Sequence, residues 1–128
     1  MTSLSVSIDV PSLEEGLRFY GEAFGFDKAS EPFPGVAVLR AGNAELLLLV
    51  KGPGSAPSPH TAEKRHYDRH WTPVHIDFHV DNFKESLTRA LAAGAKQERL
   101  FETPGRPAVA FCSDPFGHGF CLIERRKT

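Results

Sequence analysis

Polar and apolar residues alternate in two short segments, and the alternation predicts two β-strands whose faces differ chemically. Successive strand residues point to opposite sides of a sheet. In HIDFHV, residues 75–80, one face therefore carries His75, Asp77 and His79, while the other is wholly apolar. The segment SVSIDV, residues 5–10, repeats this pattern, with its polar positions at Ser5, Ser7 and Asp9. The recurrence indicates a duplicated unit.

Each predicted strand leads into a segment with the apolar spacing of an amphipathic helix. Ser12 and Asn82 suit the N-cap position, where a side-chain oxygen accepts a bond from a free backbone N–H. Three residues later stand Glu15 and Glu85, whose carboxylates can reach back to the N–H of the capping residue. Left-handed residues that commonly close a helix follow at Gly25 and Gly94.

Turn signals and a hairpin complete each copy of the unit. Pro-Gly pairs at 34–35 and 104–105 mark turns between extended segments. Hairpin patterns follow at residues 36–50 and 108–124, so each copy contains a strand, a helix and three strands. The sequence predicts an α+β fold in which two tandem βαβββ units form cupped mixed sheets with helices on the convex side. The predicted boundaries are 1–51 for the first unit, 52–71 for a connector loop and 72–128 for the second unit.

The connector is rich in Pro, Gly and Ser at its start and in charged residues and His further on. It cannot continue a strand or bury an apolar stripe, and loops of this length often serve as lids or binding loops. Two interpretations of Tyr67 and Trp71 remain open: they cover a cavity, or they pin a solvated linker to the body. Its histidines, His60, His66 and His70, are expected at the rim or in solvent, as is His118.

Composition narrows the classes of function. The formal net charge of −1 gives no general attraction for nucleic acid or an anionic membrane. No apolar run of about 18 residues is present to span a bilayer, and the first residues lack a secretory pattern, so a cytoplasmic location is expected. Cys112 and Cys121, on either side of the DPFG turn, are predicted to face each other across the hairpin. Either they are reduced, half-buried thiols or they form a redox pair.

Two βαβββ units, the FYGEAFGF end of the first helix and the DPFGHGF turn before the last strand together resemble the vicinal oxygen chelate superfamily. That superfamily includes glyoxalase I enzymes, extradiol dioxygenases, fosfomycin-modifying thiol transferases and metal-free bleomycin-resistance proteins. The resemblance covers nearly the whole chain. It implies the two-unit fold and a small-molecule site, but one fold hosts many functions.

The resemblance also implies positions for metal ligands. Metal-dependent members use a His on the first strand of a unit and a carboxylate on the last. In this chain the first-strand positions are His75 and Ser5. The last-strand positions are Cys121 and a residue near Leu46, with Glu45 one position away. Only His75 matches the ligand set, so no metal or other cofactor is expected.

The polar face of residues 75–80 is expected to line a ligand cup, although polar residues also alternate when a sheet simply faces water. Within the cup, His75 is predicted to act as a general base oriented by Asp77. If a divalent metal is present, its predicted ligands are His75, His79 and Cys121. The residues predicted to bind the ligand are Ser5, Ser7, Asp9, His75, Asp77, His79, Cys121 and the aromatic residues Phe33, Trp71 and Phe101.

The predicted function is that of a glyoxalase-like or bleomycin-resistance-like protein that binds a small organic molecule without a standard metal site. The alternative is a metal-dependent lyase, isomerase or dioxygenase of the same superfamily with nonstandard ligands. A third possibility is an inert interaction module. The expected partners are a small-molecule ligand and a second copy of the chain in a homodimer, because open sheet edges leave strand donors and acceptors exposed.

Overall fold

Two compact units make up the chain in a computed structural model that describes residues 1–125. The first unit comprises Met1–Gly21 with Gly25–Tyr67, and the second comprises Glu22–Phe24 with Asp68–Thr128. The connector predicted at residues 52–71 is therefore divided after Tyr67. Its longer part belongs to the first unit and its last four residues to the second.

The first unit contains one helix and a four-stranded mixed sheet. Its sheet order is β1-β4-β3-β2, with β1 parallel to β4 and the other neighbours antiparallel. The elements are β1 Ser5–Val10, α1 Leu13–Phe24, β2 Asp27–Phe33, β3 Val36–Ala41 and β4 Ala44–Val50. The predicted strand, helix and three-strand order is confirmed.

The second unit repeats this arrangement. Its sheet order is β5-β8-β7-β6, with β5 parallel to β8. The elements are β5 Ile76–Val80, α2 Phe83–Ala93, β6 Lys96–Phe101, β7 Val109–Ser113 and β8 Gly119–Glu124. Strand β5 begins one residue later than predicted, because its pairing with β8 starts at Ile76 opposite Phe120.

Both helices begin at the predicted capping residues. Ser12 Oγ accepts a hydrogen bond from the N–H of Glu15 at 3.1 Å, and Asn82 Oδ1 accepts one from Glu85 at 3.3 Å. The Glu15 and Glu85 carboxylates accept hydrogen bonds from the side chains of Ser12 and Asn82, at 3.3 and 3.0 Å. The sequence had predicted that the backbone N–H groups of these capping residues would be the donors. Among residues 1–125, neither helix has the length and apolarity needed to cross a membrane.

Each sheet has one buried face. In the first unit, Leu46 and Leu48 are at most 2% exposed, and α1 lies so close that a Cβ on Gly16 would be 3.0 Å from Leu48 Cδ1. In the second unit, Leu122 is fully buried, and the rings of Phe78 and Phe120 are 5.6 Å apart. These contacts place Phe78 of β5 against the core, as the alternation predicted for residues 75–80, whereas Val6 of β1 is 37% exposed.

Candidate functional site

The register of the second sheet separates the side chains of β5, β7 and β8 into two sets. Ile76 lies opposite Phe120, and Cys112 lies opposite Phe120 from the other side, so all three belong to the buried face. Cys121 lies opposite Asp77 on one side and Phe111 on the other. We call the opposite, accessible surface the His75 face; it carries His75, Asp77, His79, Phe111 and Cys121.

Three polar side chains converge on the His75 face. His75 Nε2 lies 3.1 Å from Asp77 Oδ1, and the potential ligand atoms of His75, Asp77 and Cys121 lie within 4.8 Å of one another. The His75 and Asp77 side chains are about half exposed, whereas Cys121 is 9% exposed. Burial and the adjacent Asp77 carboxylate, which also accepts its hydrogen bond, raise the pKa of the Cys121 thiol to about 11. Cys121 is therefore a protonated donor at neutral pH.

His79 occupies a different part of this face. It lies opposite Ile123, whereas Asp77 lies opposite Cys121. The Cβ atoms of residues two apart on a strand are separated by about 6.5–7 Å. Asp77, which lies directly opposite Cys121, is therefore closer to the cysteine than His79 is. The three-residue cluster thus contains Asp77 where the predicted alternative metal set contained His79.

A cavity of about 300 Å³ opens beside this cluster within the second unit. His75 and Cys121 contribute to its lining, and Phe111 and Trp71 give it aromatic surface. Phe111 is 38% exposed and Trp71 is 79% exposed, so both rings are available for contact. Concave sites that combine apolar surface with a few convergent polar groups are the usual form of a small-molecule site.

Phe101 extends the aromatic surface along the sheet. Its ring lies 5.4 Å from that of Phe111 in an edge-to-face arrangement, and Arg99 Cζ lies 4.8 Å from the Phe101 ring centroid. Phe101 is 39% exposed. It is placed beside the cavity wall that Phe111 forms, and its role in ligand contact stays a prediction.

The predicted ligand-binding residues of the first unit belong to a separate sheet. Ser5 and Ser7 are exposed on β1, and Phe33 is 68% exposed at the end of β2. Asp9 Oδ2 accepts a hydrogen bond from Arg65 Nε at 2.8 Å. Arg65 Nη1 also donates to Ser55 Oγ at 3.2 Å, so this ion pair ties the connector to β1.

Residue Leu46 does not correspond to Cys121, which corrects the expected last-strand position. Leu46 is 2% exposed and lies on the buried face. In the first sheet, Ser7 pairs with Leu47 as Asp77 pairs with Cys121 in the second. Glu45 shares the face of Leu47 and lies opposite Ser5. The one-residue difference arises because hairpin register cannot be read from the strand pattern alone.

The cysteines lie on opposite faces of the second sheet, so the expectation that they face each other is wrong. Cys112 pairs with Phe120, and Cys121 pairs with Phe111. Both thiols are free, and burial is the main cause that raises the pKa of Cys112 to about 11. A disulfide requires the two Cβ atoms to approach within about 4.5 Å with suitable orientation, which opposite faces do not provide.

Two histidines expected at the rim or in solvent form a partly buried pair. His70 Nε2 lies 2.8 Å from His118 Nδ1, and the ring centroids are 4.7 Å apart. His70 and His118 are thus not free in solvent, because the end of the connector folds against the β7–β8 turn, and a position at the rim stays a prediction. His60 and His66 are exposed, as predicted.

Sequence reasoning missed Asp114 as a structural residue. Its side chain is almost fully buried, and Oδ1 accepts hydrogen bonds from the N–H groups of Phe116 at 2.8 Å and His118 at 2.9 Å. An aspartate that bonds to the backbone two residues ahead is typical of turns. The DPFG segment carried that signal, and Asp114 fixes the turn that leads into β8.

Residues 5–123 match the family model described as a glyoxalase-like domain, so the chain belongs to this family. Among solved structures, the fosfomycin resistance protein FosX from Mesorhizobium loti is 15% identical, with 98% of this chain and 92% of that chain covered and a TM-score of 0.71. Lactoylglutathione lyase from Agrobacterium tumefaciens is 18% identical, with coverages of 97% and 94% and a TM-score of 0.65.

A glyoxalase-related enzyme from Fulvimarina pelagi is 18% identical, with coverages of 98% and 89% and a TM-score of 0.71. No curated protein matches the sequence. These similarities place the chain in the vicinal oxygen chelate superfamily, as the sequence motifs indicated.

Proposed function

We propose that this glyoxalase-like protein binds a small organic molecule in the cavity beside His75 and does so without a standard metal site. The observation that supports this most directly is the convergence of His75, Asp77 and Cys121 next to a 300 Å³ cavity with aromatic surface. A few polar groups fix a ligand's orientation, while the aromatic surface supplies most of the contact area.

The roles of the polar groups follow from their contacts. The Asp77 carboxylate lies 3.1 Å from His75 Nε2, an arrangement that fixes the orientation of the imidazole. His75 is therefore the proposed general base if the bound molecule is turned over, and Asp77 is its orienting residue. The Cys121 thiol donates a hydrogen bond to Asp77, which helps to hold the carboxylate in place.

The family's usual metal ligands do not fit this chain. The expected first-strand position of the first unit is Ser5, and the last-strand position that corresponds to Cys121 is Leu47. A hydroxyl is a poor ligand for a zinc-like ion, and a leucine side chain offers no donor. At these two positions the first unit therefore offers neither the imidazole nor the carboxylate of a standard site, and the proposed binding relies on the organic contacts above.

We expect His75→Ala to weaken ligand binding several-fold or more, because a neutral hydrogen bond contributes about 0.5–1.5 kcal/mol and a charged one more. The measurement begins with ligand-observed NMR on a library of small aromatic acids, amines and neutral heterocycles. The affinity of each compound that binds is then determined for the unsubstituted protein, for His75→Ala and for a control variant. The matched control is His60→Ala, which removes an exposed imidazole of the connector that is not among the predicted ligand-binding residues. Equal affinity losses in the two variants would contradict the proposal.

The second candidate function is that of a metal-dependent enzyme with nonstandard ligands. The supporting observation is that His75, Asp77 and Cys121 offer nitrogen, oxygen and sulfur donors within 4.8 Å of one another. That set suits zinc, which accepts all three donor types. A bound ion would polarise a substrate oxygen or activate a water molecule.

Elemental analysis of protein purified without a metal-chelating tag separates the two candidates. The organic-ligand proposal predicts no stoichiometric transition metal. One tightly held ion per chain that is lost in His75→Ala would favour the metal-dependent enzyme. If His75→Ala retained the ion, the metal would bind elsewhere in the protein. The metal content would then support neither candidate function at the His75 site.

A cytoplasmic location stays an expectation. We also propose that the chain forms a homodimer. All seven residues of β2 and all six of β6 are exposed, and each strand is an outer strand of its sheet. Such edges are commonly covered by a symmetric partner. Light scattering should give twice the chain mass of 14.1 kDa, whereas a single species of 14.1 kDa would contradict the dimer.

A further inference from the structure

The end of the connector forms one wall of the proposed ligand cavity. We call residues 68–72 the strap. Arg69, Trp71 and Thr72 of the strap line the cavity together with His75 and Cys121. The strap and the buried Cys121 thiol therefore border the same cavity.

An ion pair attaches the strap to the sheet. Arg69 Nε donates to Glu98 Oε2 at 2.6 Å, and Arg69 Nη2 donates to Glu98 Oε1 at 3.1 Å. The register of β6 shifts between Gln97 and Arg99, and Glu98 lies at this irregularity. The hydrogen bond from Arg69 lowers the pKa of Glu98, so the carboxylate is ionised at neutral pH. Both side chains are more than one third exposed, which leaves the pair accessible to water.

The histidine pair provides a second attachment. The N–H of His70 donates to the carbonyl of Gly117 at 3.1 Å. His70 Nδ1 lies 3.0 Å from the carbonyl oxygen of Asp68, and a carbonyl can only accept, so Nδ1 carries a proton. In the neutral ring Nε2 then accepts the proton of His118 Nδ1 at 2.8 Å. This hydrogen bond holds the strap to the β7–β8 turn.

Gly117 in the β7–β8 turn and Gly119 at the start of β8 leave room for the strap. A Cβ on Gly117 would lie 2.1 Å from the carbonyl oxygen of Asp68, and one on Gly119 would lie 2.7 Å from Arg69 Nη2. A side chain at position 117 would require the strap backbone to move, whereas one at position 119 would require only the Arg69 side chain to shift. The turn surface is thus shaped to receive the strap, which makes its closed position a specific contact.

We propose that the strap is a gate over the ligand cavity that opens locally, without unfolding of the second unit. The attachments are polar, and Trp71, the largest apolar residue of the strap, is 79% exposed. Segments held by few buried apolar contacts open at a lower free energy than the core. The gate acts on the site of the proposed function, and it regulates when the cavity around His75 and Cys121 admits a molecule.

The two cysteines allow a direct test. Both cysteines border the cavity, but their side chains lie on opposite faces of the sheet. The Cys121 side chain is on the His75 face, whereas that of Cys112 is 1% exposed on the buried face and reports unfolding of that core. Alkylation by the uncharged reagent iodoacetamide is followed by mass spectrometry in Cys112→Ala, which retains Cys121, and in Cys121→Ser, which retains Cys112. We expect Cys121 to react at least about tenfold faster than Cys112 at one pH, because local opening is more frequent than global unfolding.

Variants of the attachments identify the strap as the moving part. We expect Glu98→Gln and His118→Phe each to raise the Cys121 rate by about tenfold or less, the value of one polar attachment. His118→Phe should leave the Cys112 rate unchanged. Glu98→Gln also removes a charge that raises the pKa of Cys112, so its Cys112 rate is compared at equal thiolate fraction. The matched control is Arg99→Ala, which removes a neighbouring exposed cation whose guanidinium lies over the Phe101 ring, and it should change neither rate. Unchanged Cys121 rates in both attachment variants would overturn the gate.

If an attachment variant fails to fold, the urea dependence of alkylation can be measured instead in proteins whose strap attachments are unchanged. Local opening exposes little surface, so the Cys121 rate should rise only weakly with urea, whereas the Cys112 rate should rise steeply. Equal rates and equal urea dependence at the two cysteines would overturn the gate. These measurements use no ligand, so failure to find a ligand would count against the proposed function while the labelling result still decides the gate.

Discussion

Replacing Asp114 with alanine is expected to lower the free energy of unfolding by about 3 kcal/mol, since two hydrogen bonds to a charged acceptor contribute about 1.5–3 kcal/mol each and partial rehydration offsets some of the loss. The buried carboxylate accepts from the N–H groups of Phe116 and His118. Alanine leaves both donors without their acceptor in a turn that water reaches poorly. Urea unfolding followed by circular dichroism measures the change.

Asparagine at the same position is the matched control. Asp114→Asn retains an Oδ1 acceptor of the same size and reach, so it should lose less than half as much stability as Asp114→Ala. The closed strap should also survive in Asp114→Asn, because the turn that carries Gly117 and His118 keeps its shape. A loss below about 1 kcal/mol in Asp114→Ala, the value of a single weak bond, would contradict the role assigned to Asp114.

Leu122→Ala is the second substitution with a large expected effect, a loss of about 2–5 kcal/mol in the free energy of unfolding. Leu122 is fully buried in β8 and lies opposite Phe78. Truncation removes buried apolar surface and leaves a cavity that the surrounding side chains fill only in part. Denaturant midpoints and slopes together give the change in stability.

The adjacent residue Ile123 supplies the control for Leu122. Ile123 lies on the opposite face of the same strand, opposite His79, and is only partly buried. Ile123→Ala should therefore cost clearly less than Leu122→Ala. Equal losses would mean that the face of β8 next to the site is packed as tightly as the core, which would contradict an accessible His75 face.

The parts of the fold that the sequence predicted are those encoded by local chemistry. The alternation in residues 75–80 placed His75 and Asp77 on one face because strand geometry has a period of two. Ser12 and Asn82 marked the helix starts because their side chains satisfy backbone donors that have no other partner. These signals lie within a few residues of the structure they specify, and the structure confirms the elements.

The register of the β7–β8 hairpin could not be predicted from the alternation of polar and apolar residues in the strands. The β7–β8 pairing brings Ser113 opposite Gly119, which centres the hairpin on Phe116. For Cys112 to pair directly with Cys121, the hairpin would have to be centred half a residue further along the chain, between residues 116 and 117. A shift this small is set by the bonds that Asp114 makes in the turn, yet it moves Cys112 to the buried face and leaves Cys121 at the site.

The strap was also beyond sequence reasoning. Arg69 and Glu98 are 29 positions apart, and His70 and His118 are 48 apart. The strap has neither helical nor strand periodicity, so nothing local marks these residues as partners. The small size of Gly117 and Gly119 was visible, but only the folded chain shows that it accommodates the strap.

Chemical-shift mapping with a bound hit tests the proposed ligand site most directly. Amide resonances of ¹⁵N-labelled protein are compared with and without a compound from the aromatic library. The proposal predicts that the largest changes cluster at Thr72, His75, Phe111, Gly119 and Cys121. Changes concentrated on the first sheet around Ser5 and Asp9, or spread evenly over the chain, would contradict a ligand site beside His75.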